Sequence, residues 1–288
     1  MAPVTGPRKP AVAGAFYPAS AESLRTLIDW CFSHVLGPGG SPRPSTHPPG
    51  ARRLVGLVCP HAGYIYSGPV AAHSYARLAQ EPRPELVVVL GPNHRGLGQP
   101  IATSPHESWE TPLGVLPIER RLCERLEAQA GLVKPDSFAH AHEHSIEVQA
   151  PFLQVLYGDA VPFLPIALWR QDLRTCQRLG EALAHALAGR GAVIIASSDF
   201  THYEPAALAQ QQDLLAIDPI LRLDPVEFAR TVAEREMNIC GPGPVMAMLT
   251  TARRLGAAQA RLLKYATSGD TSGDPSSVVG YAAIEVTA

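Results

Sequence analysis

The chain is short of net charge, of aromatic residues and of long hydrophobic runs. Its 24 Lys and Arg stand against 26 Asp and Glu, a formal charge of -2, and only 17% of the 288 residues are charged. Such a balanced surface sets up no field for a phosphate backbone or an anionic bilayer, so neither nucleic acid nor membrane is expected as a partner. No stretch approaches the roughly 18 apolar residues of a spanning helix, and Met1 to Pro10 lacks the apolar core of a signal peptide; both predict a cytoplasmic protein. The five cysteines, Cys31, Cys59, Cys123, Cys176 and Cys240, contain no C-x-x-C pair, which argues against a disulfide framework or a zinc ribbon. Cys123 and Cys176 fall in helical patterns and read as buried thiols.

Histidine is abundant instead, with eleven in the chain. Two apolar runs each end on a Pro or Gly turn that carries one. Leu54-Val55-Gly56-Leu57-Val58-Cys59 leads into Pro60-His61-Ala62-Gly63-Tyr64, and Leu86-Val87-Val88-Val89-Leu90 into Gly91-Pro92-Asn93-His94. Short apolar runs rich in β-branched residues and bounded by turn residues read as buried parallel strands. In an open α/β sheet ligands bind at the carboxyl ends of such strands. Two imidazoles brought to that edge, on strands expected to be neighbours in one βαβ unit, point to a metal site; each alone also fits a histidine bonded to backbone in its own turn.

A helix opened by Ser20 precedes a Pro- and Gly-rich surface loop at 37–50, and further helices are expected at 68–80, 119–130, 145–157, 172–188, 206–221, 225–235 and 244–255. Strands are expected at 52–59, 85–90, 161–167, 191–196, 260–267 and 278–286. Helices alternate with strands and no repeat is visible. The expected fold is therefore a single-domain α/β/α sandwich over 1–288 with a largely parallel or mixed central sheet.

The third strand end carries Ser197-Ser198-Asp199-Phe200-Thr201-His202. An acid three residues before a histidine can orient the imidazole, as a general acid/base pair requires, or serve only as a turn residue. Ser197 or Ser198 as a hydrolase nucleophile is disfavoured, because no G-x-S-x-G elbow is present. Cys240 precedes Gly241-Pro242-Gly243-Pro244 at a helix entrance, where a thiolate suits soft or borderline metals; a buried apolar cysteine is the alternative. The string His140-Ala141-His142-Glu143-His144 looks metal-like. If extended, however, its alternate residues lie about 7 Å apart and cannot converge on one ion. Glu143 or His144, beside the helix start, can reach a site made elsewhere. His34, His47, His73, His106 and His185 have no visible partners.

Together these segments resemble the Memo family, whose prokaryotic members are called protein B of the AmmeMemoRadiSam system. The matching blocks are Pro60-His61-Ala62-Gly63-Tyr64 with Ser67-Gly68, Leu90-Gly91-Pro92-Asn93-His94, Glu143-His144-Ser145-Ile146-Glu147, Ser197 to His202, and Ile239-Cys240-Gly241. The resemblance implies a fold like that of the class III extradiol dioxygenases. It also implies metal ligands at His61, His94 and Cys240, an acid/base at His202 with Asp199 beside it, and cleft positions at Tyr64, Glu143 and His144. Iron(II) is the first expectation for the cofactor and copper the second, because a thiolate in place of a carboxylate favours softer ions. The implied activity is a mononuclear non-haem, dioxygenase-like redox reaction on an unidentified small molecule. The alternative is a non-catalytic metal- or peptide-binding adaptor, with Tyr64, Tyr66 and Trp109 lining an apolar cleft. The family association further implies a radical SAM protein and a third AmmeMemoRadiSam protein as partners.

Overall fold

The computed structural model describes residues 6–43 and 52–288; half of the Pro- and Gly-rich stretch at 37–50 lies outside them. In chain order the first half contains α1 (Ala21–Ser33), β1 (Leu54–Cys59), α2 (Tyr64–Ala79), β2 (Leu86–Pro92), β3 (Ile101–Thr103), β4 (Ser108–Thr111), β5 (Gly114–Pro117), α3 (Arg120–Ala130), β6 (Lys134–Pro135) and α4 (Phe138–Ala141). A 3-10 turn at Glu147–Gln149 then leads into α5 (Ala150–Tyr157), β7 (Phe163–Leu168), α6 (Leu173–Leu187), β8 (Ala192–Ser197), β9 (His202–Glu204), α7 (Ala206–Leu221), α8 (Pro225–Glu234), α9 (Pro242–Arg254), β10 (Gln259–Thr267), α10 (Ser268–Ser272) and β11 (Val278–Thr287).

The main sheet runs β10-β11-β1-β8-β2-β7-β3-β6, with β9 pairing to β11. Strands β1, β8, β2 and β7 are mutually parallel, and β11 and β3 flank them antiparallel, so the sheet is mixed. All six residues of β1, all seven of β2 and all six of β7 are buried. This is why they read as unbroken apolar runs rather than alternating ones. On one face α2 packs with α1 and α5; on the other α6 packs with α9 and α3. Gly56 lets α9 approach β1 closely, since a Cβ there would lie 2.6 Å from Met248 Sδ.

The two βαβ units interleave. β8 lies between β1 and β2, and β2 lies between β7 and β8, so the histidine-tipped strands are not neighbours as the sequence suggested. The crossover β1-α2-β2 moves one way along the sheet and β7-α6-β8 moves back. Right-handed crossovers in opposite directions put α2 and α6 on opposite faces, the layering observed. The physical gain is at the carboxyl edge, where the Ser197-Ser198-Asp199 end of β8 sits between the ends of β1 and β2.

Local differences have simple causes. Helix α2 begins at Tyr64 rather than 68 and carries Pro69 in its interior. The helix expected from Ser145 is a turn and then α5. No helix among the described residues is long and apolar enough to cross a membrane.

Candidate metal centre and cleft

His61 follows β1 directly and is buried. Its backbone N–H donates to Asp199 Oδ1 (2.7 Å), and its Nδ1 lies 3.0 Å from Ser197 Oγ. That hydroxyl donates its single proton to the Ser145 carbonyl (2.7 Å) and accepts from Gln149 Nε2 (2.8 Å). Having no second proton, it can only accept from His61, so the imidazole hydrogen is on Nδ1 and the lone pair on Nε2. Burial, with His144 and His94 adding to it, holds this imidazole well below its ordinary pKa and hence neutral.

His94 follows β2 and repeats the arrangement with a carboxylate. Its backbone N–H donates to Glu143 Oε2 (2.6 Å), and its Nδ1 donates to Glu143 Oε1 (2.9 Å). Glu143 Oε1 also accepts from the N–H groups of His144 (2.8 Å) and Ser145 (2.9 Å). Burial alone would raise the Glu143 carboxyl. The bond from His94, the nearby imidazoles and the Ser145 N–H outweigh it and bring it down to about 2, so the group is ionised. A carboxylate that accepts from a ligand's far nitrogen fixes the ring and keeps Nε2 available, the usual outer support of a metal-binding histidine.

His144 completes the cluster. The ligand atoms of His61, His94 and His144 all lie within 4.8 Å of one another, so the three could hold a metal ion. Its ring stacks on His94 (centroids 4.6 Å apart, planes at 14°) and meets Phe16 at 4.4 Å. Burial lowers its pKa to about 4. Gly91 makes room for this turn: a Cβ there would lie 2.5 Å from Ser145 Oγ and 2.6 Å from Ile146 Cγ1.

Cys240 touches the cluster at His61, with Sγ 3.1 Å from Nε2. The sulfur also accepts from the Asp199 N–H (3.2 Å). Gly241 permits this approach, because a Cβ there would lie 2.6 Å from the Ser197 carbonyl oxygen. Burial, then the Asp199 carboxylate, keep the free thiol well above its ordinary pKa. The histidines and Cys240 head a cleft of about 890 Å³ that continues past Phe16, Tyr66, His202, Tyr203 and Tyr281.

A sequence model described as Memo-like protein matches residues 8–285. The chain belongs to the Memo family. A MEMO1 family protein of Methanopyrus kandleri is 49% identical over 279 residues, 96% of this chain and 98% of the relative. Another from Ignicoccus hospitalis is 48% identical over 280 residues, with the same coverage of each chain. The crystal structure of an uncharacterized protein from Escherichia coli K12 shares the fold, with a TM-score of 0.54 and 17% identity over 81% of this chain and 99% of that one.

The Memo motifs thus meet at one edge, but several side chains do other work than expected. Tyr64 is a core residue, not a cleft residue: its hydroxyl donates to the Val148 carbonyl (2.6 Å) and its ring packs on Phe152. Trp109 is also core, covered by the Arg8 guanidinium at 4.1 Å. Glu143 lies behind His94 rather than in the cleft wall. His202 lines the cleft, but its Nδ1 is bonded to the Asn238 carbonyl (3.0 Å) and not to Asp199. Asp199 instead holds the His61 backbone, and burial raises its carboxyl to about 6. Ser198 is buried and donates to the Asp199 carbonyl (2.9 Å), so with Ser197 also committed neither serine is free to act as a nucleophile.

His140 and His142 stay out of the cluster, although the segment is a short helix and turn rather than extended. The stretch is tied down through Glu147 of the motif by Arg8, which the motifs did not single out. Arg8 pairs with Glu147 (2.7 Å) and donates to the carbonyls of Glu143 (2.9 Å) and His140 (2.8 Å). Glu147 also accepts from the N–H groups of Ala11 and Val12 and from the Tyr17 hydroxyl. This clamp draws the N-terminal segment across the cluster and delivers Phe16 to His144. Gln149, which fixes the His61 tautomer through Ser197, carried no sequence signal of its own.

Proposed function

We propose that this chain is a mononuclear, metal-dependent redox enzyme of the class III extradiol dioxygenase type, acting in the cytoplasm on a small molecule. Iron(II) is the proposed ion and copper the alternative. The carrying observation is that His61 and His94 both spend their Nδ1 hydrogens on fixed acceptors, which leaves two Nε2 lone pairs at the head of an open cleft. His61, His94 and Cys240 would hold the ion, with His144 as a neighbouring donor. When bound, such an ion supplies one-electron redox chemistry toward dioxygen, and a thiolate ligand favours the softer choices.

The other residues act on ligand and protons. His202, held through Nδ1 by Asn238, presents Nε2 as the base that takes a proton from a ligand hydroxyl and returns it. Asp199 positions His61 and Cys240 together, through Oδ1 and its own N–H. Phe16 and Tyr66 exclude water along the cleft wall. A radical SAM protein and a third protein of the same system are proposed as partners on the family association.

The test is to load anaerobically purified protein with iron(II) or copper, dialyse, and measure retained metal. Stoichiometric retention by the wild type and its loss in a His61→Ala/Cys240→Ala double variant are expected. Equal retention by both would overturn the ligand assignment. Dioxygen uptake with candidate catechols and thiols then reads the redox activity. Metal-loaded protein that never turns over, yet captures a radical SAM partner, would favour the adaptor role.

A further inference from the structure

The cleft carries a charge pattern that extends beyond the metal centre. Among the described residues its lining contains two carboxylates, Asp199 and Asp274, and no lysine or arginine. Arg95 comes near His144, but it donates to the His142 carbonyl (3.4 Å) and does not line the cleft. Asp274 lies on the loop between α10 and β11. Its Oδ1 accepts from the Ser276 N–H (2.9 Å) and hydroxyl (2.6 Å), which anchors the carboxylate, and Oδ2 has no partner among the described residues.

Tyr203 is aimed at the same mouth by a backbone irregularity. In β9, His202 pairs with Val279 and Glu204 with Val278, so Tyr203 is the extra residue of a β-bulge. It takes φ 63, a left-handed conformation that a bulky side chain rarely adopts, and the residue is 76% exposed. Bulges beside active sites re-aim side chains, and backbone strain held at a cleft calls for a reason in what the cleft binds. Tyr203, Tyr66 and Phe16 supply aromatic faces, which attract cations as well as rings.

We propose that the cleft selects a cationic arylalkyl amine. Its ring seats against Phe16, Tyr66 and Tyr203, and its ammonium group meets Asp274. Matched anions are rejected, because no basic side chain receives them. The assignment rests on the cleft being the ligand site of the proposed enzyme, and it concerns only the end of the ligand away from the histidines.

The experiment uses three probes of one shape, 2-phenylethylamine, 2-phenylethanol and phenylacetate, titrated calorimetrically into the full chain after chelator treatment. The amine should bind about two- to fivefold more tightly than the alcohol, the scale of one exposed ion pair, and phenylacetate most weakly. Asp274→Asn should remove the amine's advantage and leave alcohol binding unchanged. Raising salt from about 0.05 to 0.5 M should shrink the advantage in the wild type, which tests the same point without a substitution. Phenylacetate binding as tightly as the amine, an amine preference that survives Asp274→Asn, or no binding of any probe would each overturn the proposal. Because no ion is present in the titration, failure to retain metal would sink the redox reading while leaving an observed amine preference standing.

Discussion

Whether a histidine can serve as a ligand depends on the partner of its other nitrogen, and three histidines here show the range. His61 and His94 hand their Nδ1 hydrogens to Ser197 and Glu143 and keep the Nε2 lone pair, which in His61 faces Cys240 Sγ. His140 is fully buried against Trp109, with Nε2 3.2 Å from the Ala102 carbonyl and no partner for Nδ1 among the described residues. Burial, and next to it the Arg8 guanidinium, push its pKa down to about 3. In the unfolded chain it titrates near 6.5, so between these values the unfolded state holds the extra proton and stability rises with pH. The contribution is complete above about 6.5 and is lost as pH falls toward 3. Between pH 7 and 4.5 this group should remove roughly 2 kcal/mol of stability. His140→Phe should lose that increment from the pH difference in its urea midpoint, whatever its stability at pH 7; an unchanged difference would contradict the assignment. The placing of His61, His94 and Cys240 at one edge of the sheet was legible because each follows a strand or precedes a helix. Their supports were not: Ser197 lies 136 residues from His61 and Glu143 lies 49 from His94, so no local spacing joins them.

Elements bring these residues together through close approach more than through loop design. β2 ends at Gly91-Pro92, and the Ser145-Ile146 turn rests where a Gly91 side chain would be. Ser145 Oγ donates to the Pro92 carbonyl (2.7 Å), stitching the turn to the strand end. Gly91→Ala should push the turn outward and cost about 1–3 kcal/mol, the usual range for overpacking. It should also separate His144 and Glu143 from His94, so thermal melting and metal retention should fall together. Native melting with native metal retention would show that the turn relaxes freely. The long elements β1, β2, β7, β8, β10 and β11 and most helices could be read from apolar runs and 3.6-residue periodicity. β3, β6 and β9 could not, because strands of two or three residues display no period, and pairing with distant partners makes them strands. Pro69 concealed the true start of α2, since an interior proline reads as a boundary.

At the scale of the molecule, alternating helices and strands were enough to foresee a sandwich with a mixed sheet, but not its strand order. Strands that follow one another in sequence are expected to be sheet neighbours, the commoner outcome. Here each crossover steps over one strand, and the order β1-β8-β2-β7 results. That order has a consequence for how the protein comes into being. The two histidine-bearing strands leave the ribosome early, yet neither has the other to pair with; the slot between them waits for β8, which begins 100 residues after β2 ends. A nascent chain ending before Ala192 should therefore show no metal affinity beyond that of an unfolded polypeptide, although it already contains His61, His94 and His144. A truncated chain that retains metal as the full chain does would refute this. Closing contacts between such distant segments is also slow, since loop-closure entropy is spent before the pairing returns anything. Delaying the middle strand therefore leaves the histidine cluster unassembled until Ser197 and Asp199 arrive with it.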